Sequence, residues 1–145
     1  MILAREEIAS LIPHAGAMCL LDGVLAWDSV RIRCESMRHR AEDNPLRENG
    51  RLGALCAIEF ASQAMAVHGR LARLVGTRPR AGYLASLRAV ACRCAWLDGF
   101  EGALRIEAER LAGDEDQVLY AFSVGCGDQV LVAGRAAVLL QAAEA

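Results

Sequence analysis

The chain contains no lysine; all 16 of its basic residues are arginine, set against 18 acidic residues for a net charge of -2 and a pI near 5.9. No basic excess is available to neutralise phosphates, which argues against a nucleic-acid footprint. The arginines are scattered, and no run of like charge reaches the length of a basic tail. No apolar stretch approaches the roughly 20 residues that span a bilayer. The opening segment, MILAREEIASLI, is amphipathic and acidic, without the basic region and apolar run of a signal peptide. The expectation is a cytoplasmic protein with no membrane and no nucleic-acid partner. There is also no CxxC pair among the cysteines at 19, 34, 56, 92, 94 and 126. Cys92 and Cys94 would share a strand face but lie too far apart to bridge. His14, His39 and His68 are not spaced to join cysteines around zinc, so small buried thiols are expected. No linker, repeat or low-complexity segment interrupts the 145 residues, and a single domain over 1–145 is expected.

The hydrophobic pattern supplies the elements. Residues 4–12 read as a short helix stopped by Pro13. Residues 20–38 read as a half-buried strand or a hairpin broken near Trp27-Asp28, with Val30, Ile32 and Cys34 alternating against Arg31, Arg33 and Glu35. Residues 39–52 are polar, contain Asn44-Pro45 and Asn49-Gly50, and read as a loop. Residues 54–74 form the clearest helix, apolar nearly all round in its first turns apart from Glu59, Ser62 and Gln63, and therefore read as buried. Arg70 and Arg73 suit its C-terminal dipole, and Gly76 is a plausible stop. Beyond residue 80 four strand-like segments follow, separated by Asp98-Gly99, Gly113-Asp114 and Gly127-Asp128. Closely turned consecutive strands imply an antiparallel sheet, and one apolar helix needs that sheet to curl around it. The pattern alone permits several α+β folds.

Three segments narrow the choice. Ile12-Pro13-His14-Ala15-Gly16-Ala17-Met18 with Leu20-Leu21-Asp22, then Ile58-Glu59-Phe60-Ala61-Ser62-Gln63-Ala64, then Gly82-Tyr83-Leu84-Ala85-Ser86-Leu87-Arg88 resemble, in order and spacing, motifs of the 3-hydroxyacyl-ACP dehydratases of fatty-acid synthesis. The likeness is stronger to a branch of that family found in aryl-polyene gene clusters, and it covers nearly the whole chain. The resemblance implies an α+β hot-dog fold, a curved antiparallel sheet wrapped around a long central helix. It also implies a dimer, homomeric or with another hot-dog subunit, with the site built between protomers. The implied substrate is an acyl-ACP or acyl-CoA thioester. An acyl carrier protein would then be a partner, and Arg31, Arg33, Arg51, Arg78, Arg80 and Arg88 are candidates to meet its acidic surface. No metal and no organic cofactor is implied.

Dehydrating a 3-hydroxyacyl thioester needs a base for the C2 proton, an acid for the leaving hydroxyl, and donors for the thioester oxygen. In the resembled enzymes a histidine on the loop before the helix is the base and a carboxylate on the partner protomer's helix is the acid. Glu59 matches the carboxylate, and on an otherwise apolar helix burial would favour its proton-donating form. Gln63, one turn on, shares its face and could orient the carboxylate, touch substrate or serve structure. Gly53 and Ala54 match the backbone position that binds the carbonyl. The base is missing from its usual place: counted back from Glu59 at the family's spacing, the position falls on Pro45, with Asn44 and Leu46 beside it. His39, in the charged stretch RHRAED, reads as a solvated loop residue. His68 lies nine residues after Glu59, about 180° round the helix. His14 remains as the candidate base, although the corresponding histidine of the resembled enzymes is not the assigned base and a structural role, fixing the loop after Pro13, stays open. Three readings stay open at this point: a dehydratase whose base has moved to His14, a half-site subunit completed by a histidine-bearing partner, or a thioesterase using Glu59 without a loop histidine.

Overall fold

A computed structural model describes residues 1–14, 16–72 and 82–140. One seven-stranded antiparallel sheet runs β1 (Leu3–Ala4), β2 (Gly23–Trp27), β3 (Arg31–Ser36), β5 (Leu104–Gly113), β6 (Gln117–Cys126), β7 (Gln129–Leu140) and β4 (Gly82–Cys92) from edge to edge. Helix α1 (Arg5–Leu11) precedes it, and α2 (Ala57–Ala72), entered through a 3-10 turn at Ala54–Cys56, packs on β3, β5 and β6. This is the hot-dog arrangement of one long helix held against an antiparallel sheet.

The sequence pattern accounts for the elements. α1 stops before Pro13, and Glu7 accepts a hydrogen bond from the Ala4 N–H (3.2 Å), tying its first turn. The apolar segment over 20–38 resolves into β2 and β3, joined at Asp28, whose carboxylate accepts the Val30 and Arg31 N–H groups (2.8 Å each). Alternation then decides the faces. Ile32 and Cys34 of β3, Leu104, Ile106 and Ala108 of β5, and Val118, Tyr120, Phe122 and Val124 of β6 point inward. On the outer face Arg31 pairs with Glu109 (3.1 Å) and Arg33 with Glu107 (3.8 Å), in the register that sets those residues opposite one another. Gly127 turns β6 into β7 with φ near 58°, a left-handed conformation that glycine adopts without strain.

The core is a layer between that inner face and α2. Ala57, Phe60, Ala61, Ala64, Met65, Val67 and Leu71 turn inward, with Phe60 fully buried. The helix is nevertheless not buried all round: Ile58, Glu59, Ser62, Ala66, Gly69 and Arg70 form a half-buried outer stripe. Strand β4 departs from the rule in another way. Among the described residues it pairs with β7 alone, and almost every one of its residues is exposed, Tyr83 and Leu87 included.

Two expectations need correction. His39 is fully buried rather than solvated: Nε2 donates to the Phe100 carbonyl at 2.7 Å, a partner far along the chain that draws the loop into the core. Of the cysteines, all free, Cys19 and Cys34 are buried as expected and Cys92 is exposed. Gly76, Arg73, Arg78 and Arg80 lie outside the described residues. His68 faces the sheet, away from Glu59. Nε2 donates to the Asp28 carbonyl (2.8 Å), which leaves Nδ1 to accept from the Tyr120 hydroxyl (2.7 Å).

Burial, opposed by their carbonyl partners, holds both His39 and His68 below the usual histidine pKa. The folded protein keeps them neutral while the unfolded chain takes up protons near 6.5. Stability is therefore level above about pH 6.5 and falls as pH drops below it. Urea midpoints at several pH values between 8 and 5 check this; a midpoint unchanged across that range would contradict it.

Candidate active site

The site begins where the chain enters α2. Arg51 stacks over Trp96 (4.4 Å) and donates to Asp98 (2.9 Å), whose other oxygen accepts the Leu52 N–H (2.8 Å). The Ala54 N–H donates to the Ala95 carbonyl (3.0 Å) and the Leu97 N–H to the Leu52 carbonyl (2.8 Å). These contacts latch residues 51–54 to 95–98 and fix where the helix starts. They also change the carbonyl-binding assignment: the Ala54 N–H already has an acceptor. Leu55, next along, donates to no backbone carbonyl among the described residues. Gly53 keeps an open side, since a Cβ there would meet nothing within 4 Å.

Glu59 stands in the first turn of α2, where a carboxylate complements the helix dipole. It projects from the outer stripe, and its side chain is 38 % exposed, so the burial inferred from the apolar helix is not found within this chain. Beside it is His14. Nε2 of His14 lies 3.4 Å from Oε1 of Glu59, while Nδ1 is shielded from solvent and has no hydrogen-bond partner among the described residues. Residues from the first and second motif segments thus meet within one protomer.

The segment carrying His14 is strapped across the molecule. Gly16, with φ near 58°, opens a 3-10 turn over Gly16–Met18, and its carbonyl accepts from Arg5 (2.9 Å). Gln63 then takes both sides of the strap: Nε2 donates to the Met18 carbonyl (2.7 Å), and Oε1 accepts the Leu20 N–H (2.8 Å). Ser36 donates to the Leu20 carbonyl from the sheet. Gln63 is fully buried, and its amide is used by backbone on both ends, so it neither bonds Glu59 nor faces a ligand. The sequence carried no signal that would have found this pairing.

A cavity of about 390 Å³ adjoins the far end of the same helix stripe, lined by Ile12, Pro13, Met65, Ala66, Gly69 and Val138 among others. Of the arginines considered for carrier contact, Arg31, Arg33 and Arg51 are paired with carboxylates, and Arg88 is exposed on β4.

A family model described as ApeP dehydratase, ApeP-like, matches residues 6–144. The chain belongs to the ApeP-like dehydratase family. Among solved structures it is similar to the dehydratase heterocomplex ApeI:P from Xenorhabdus doucetiae, at 25% identity and a TM-score of 0.82, over 93% of this chain and 91% of that one. Zebra fish thioesterase superfamily member 2 shares the fold at 12% identity and a TM-score of 0.64, with 94% and 95% covered. So does a hypothetical thioesterase with coenzyme A from Streptococcus pneumoniae TIGR4, at 7% identity and a TM-score of 0.61, with 85% and 88% covered. No protein of curated function matches.

Because the open side of Gly53 meets no protein atom, Gly53→Ala is expected to leave stability within about 0.5 kcal/mol of the parent. A melting curve shifted well beyond that would show that the position is closed. Reduced turnover of an acyl thioester with an unshifted curve would show that substrate uses the space.

Proposed function

We propose that this ApeP-like chain is a subunit of a dehydratase that converts 3-hydroxyacyl thioesters to 2-enoyl thioesters during polyene-type acyl-chain assembly, with His14 and Glu59 as its reacting pair. The observation that carries the reading is their 3.4 Å contact on the outer stripe of α2. In the reaction one group takes the C2 proton, the C2=C3 bond forms, the C3–O bond breaks, and the hydroxyl leaves as water after receiving a proton. Neighbouring groups can manage both transfers from one side of the substrate. Neutral imidazole is the fitting base and protonated carboxyl the fitting acid. On this reading the reacting nitrogen is Nε2, the ring atom that faces Glu59, while Nδ1 is shielded from solvent and has no partner among the described residues.

The start of the helix supports the rest of the assignment. The open side of Gly53 gives the thioester room to approach, and the Leu55 N–H, at the positive end of the dipole, is the donor available for its oxygen. The acyl chain would run along Ser62, Ala66 and Gly69, side chains small enough to admit it, towards the cavity at the far end.

The partner is another hot-dog subunit, seated on β4 and the outer stripe of α2. An eleven-residue edge strand with exposed Tyr83 and Leu87 is a pairing surface that soluble proteins otherwise blunt or cover. Covering it would also enclose Glu59 and shield the reacting pair from water. The substrate is presented as a thioester of an acyl carrier protein. The heterocomplex formed by the structural relative supports this choice of partner over a homodimer.

Replacing His14 by Ala or Glu59 by Gln is expected to lower dehydration of a 3-hydroxyacyl-ACP by about 10²–10⁴-fold, the scale of a lost acid or base. Full turnover by either variant, in the assembly where the parent is active, would refute the assignment. Release of free thiol in place of the enoyl product would reassign the chemistry to thioester hydrolysis.

A further inference from the structure

We propose that Gln63 is a positioning residue: its buried amide, by gripping the backbone at Met18 and Leu20, holds His14 against Glu59. The inference rests on the reading of His14 and Glu59 as the reacting pair, and adds what sets their distance.

The argument is one of register. Glu59 and Gln63 are four residues apart on α2, so they stand one turn apart on adjoining positions of the helix. His14 and Met18 are also four residues apart, on the strap that crosses that helix. The structure joins Glu59 to His14 at 3.4 Å and Gln63 to Met18 at 2.7 Å. The two contacts are successive rungs between the same two segments. The lower rung is short and part-buried, and it is doubled by the fully buried Leu20 N–H bond (2.8 Å). The upper rung is longer, part-exposed and single.

The difference decides which contact holds which. Even with both groups charged, a part-exposed pair contributes little on its own, about 0–1 kcal/mol, and does not hold a loop in place. A fully buried amide satisfied at both ends does, because releasing it strands the Gln63 amide and the Leu20 N–H away from water. Other restraints act on the strap, but from elsewhere. Arg5 grips Gly16 from α1, and Ser36 grips Leu20 from the sheet. Among the described residues Gln63 is the side chain that ties the strap by hydrogen bonds to the helix that carries Glu59. Gln63 reaches no reacting atom, so its effect on chemistry passes through His14.

The test is a pair of variants read by NMR and by kinetics well below their melting temperatures. In the parent protein, NOE contacts are expected between the His14 ring protons and the Glu59 side chain. In Gln63→Leu, which keeps the volume but not the hydrogen bonds, those contacts are lost while the core methyl spectrum is retained. In the active assembly kcat then falls about a hundredfold, the scale of an angstrom-sized misplacement, with KM little changed. Adding His14→Ala to Gln63→Leu costs far less than His14→Ala costs the parent, because the two act through one contact. Gln63→Asn, whose amide stops one methylene short, gives the same pattern in weaker form and decides the matter if Gln63→Leu does not fold. NOE contacts that survive in a folded Gln63 variant with parental kcat would overturn the proposal. Their absence from the parent would overturn it together with the contact itself. A parental NOE with an active His14→Ala would instead fault the choice of reacting pair and leave the positional role standing or falling on the NOE in Gln63→Leu.

Discussion

The rotational setting of α2 on the sheet is the constraint from which the rest follows. Phe60, Ala61, Ala64 and Val67 are fully buried against the central strands, and Phe60 is the largest of them. At 100° per residue, seating that face inward leaves no freedom in where the other residues point. Glu59 must turn outward beside Phe60, Ser62 and Ala66 must follow it along the helix, and His68 must turn in towards Tyr120 and Asp28. Rotating α2 by one residue would put a carboxylate into the core and expose a phenyl ring, each a loss of several kcal/mol. The site therefore inherits its geometry from hydrophobic packing on the opposite side of the same helix.

Much of this was legible in the sequence because it is periodic. Strands β3, β5 and β6 alternate cleanly, their turns carry glycine and aspartate, and α2 has good helix formers without proline. The error over Glu59 has a physical source. Ile58, Ala66 and Gly69 are apolar or small, so between Glu59 and Arg70 the outer stripe lacks the charges that mark a solvated face, and the helix reads as buried all round. The motif order carried Glu59 and His14 to notice. Their contact, like the Gln63 brace and the Ala54 to Ala95 bond, joins residues about 40 or more apart and leaves no local pattern. His39 misread for the same reason: the carbonyl of Phe100, not its charged neighbours, sets its surroundings.

The three histidines show how a shared side chain is given separate work. A base needs a ring nitrogen whose lone pair can reach substrate. His68 has both nitrogens engaged, one donating to a carbonyl and the other accepting from Tyr120, and its side chain is buried. His39 donates Nε2–H to a carbonyl, which commits its tautomer, and burial closes it from any ligand. In both, the fixed acceptor is a backbone carbonyl that cannot give or take a proton, so the ring serves as a strut. His14 differs in its partner's chemistry as well as in its exposure. It faces a carboxylate, a group that can exchange a proton with it, at the one stretch of α2 where a small-residue surface and an open glycine leave room beside the pair. On the proposed assignment His14 takes the part of the histidine missing from the usual loop position, and the N-terminal strap would then have to be held as rigidly as that loop. That requirement explains why a buried glutamine with no access to substrate sits one turn from the carboxylate.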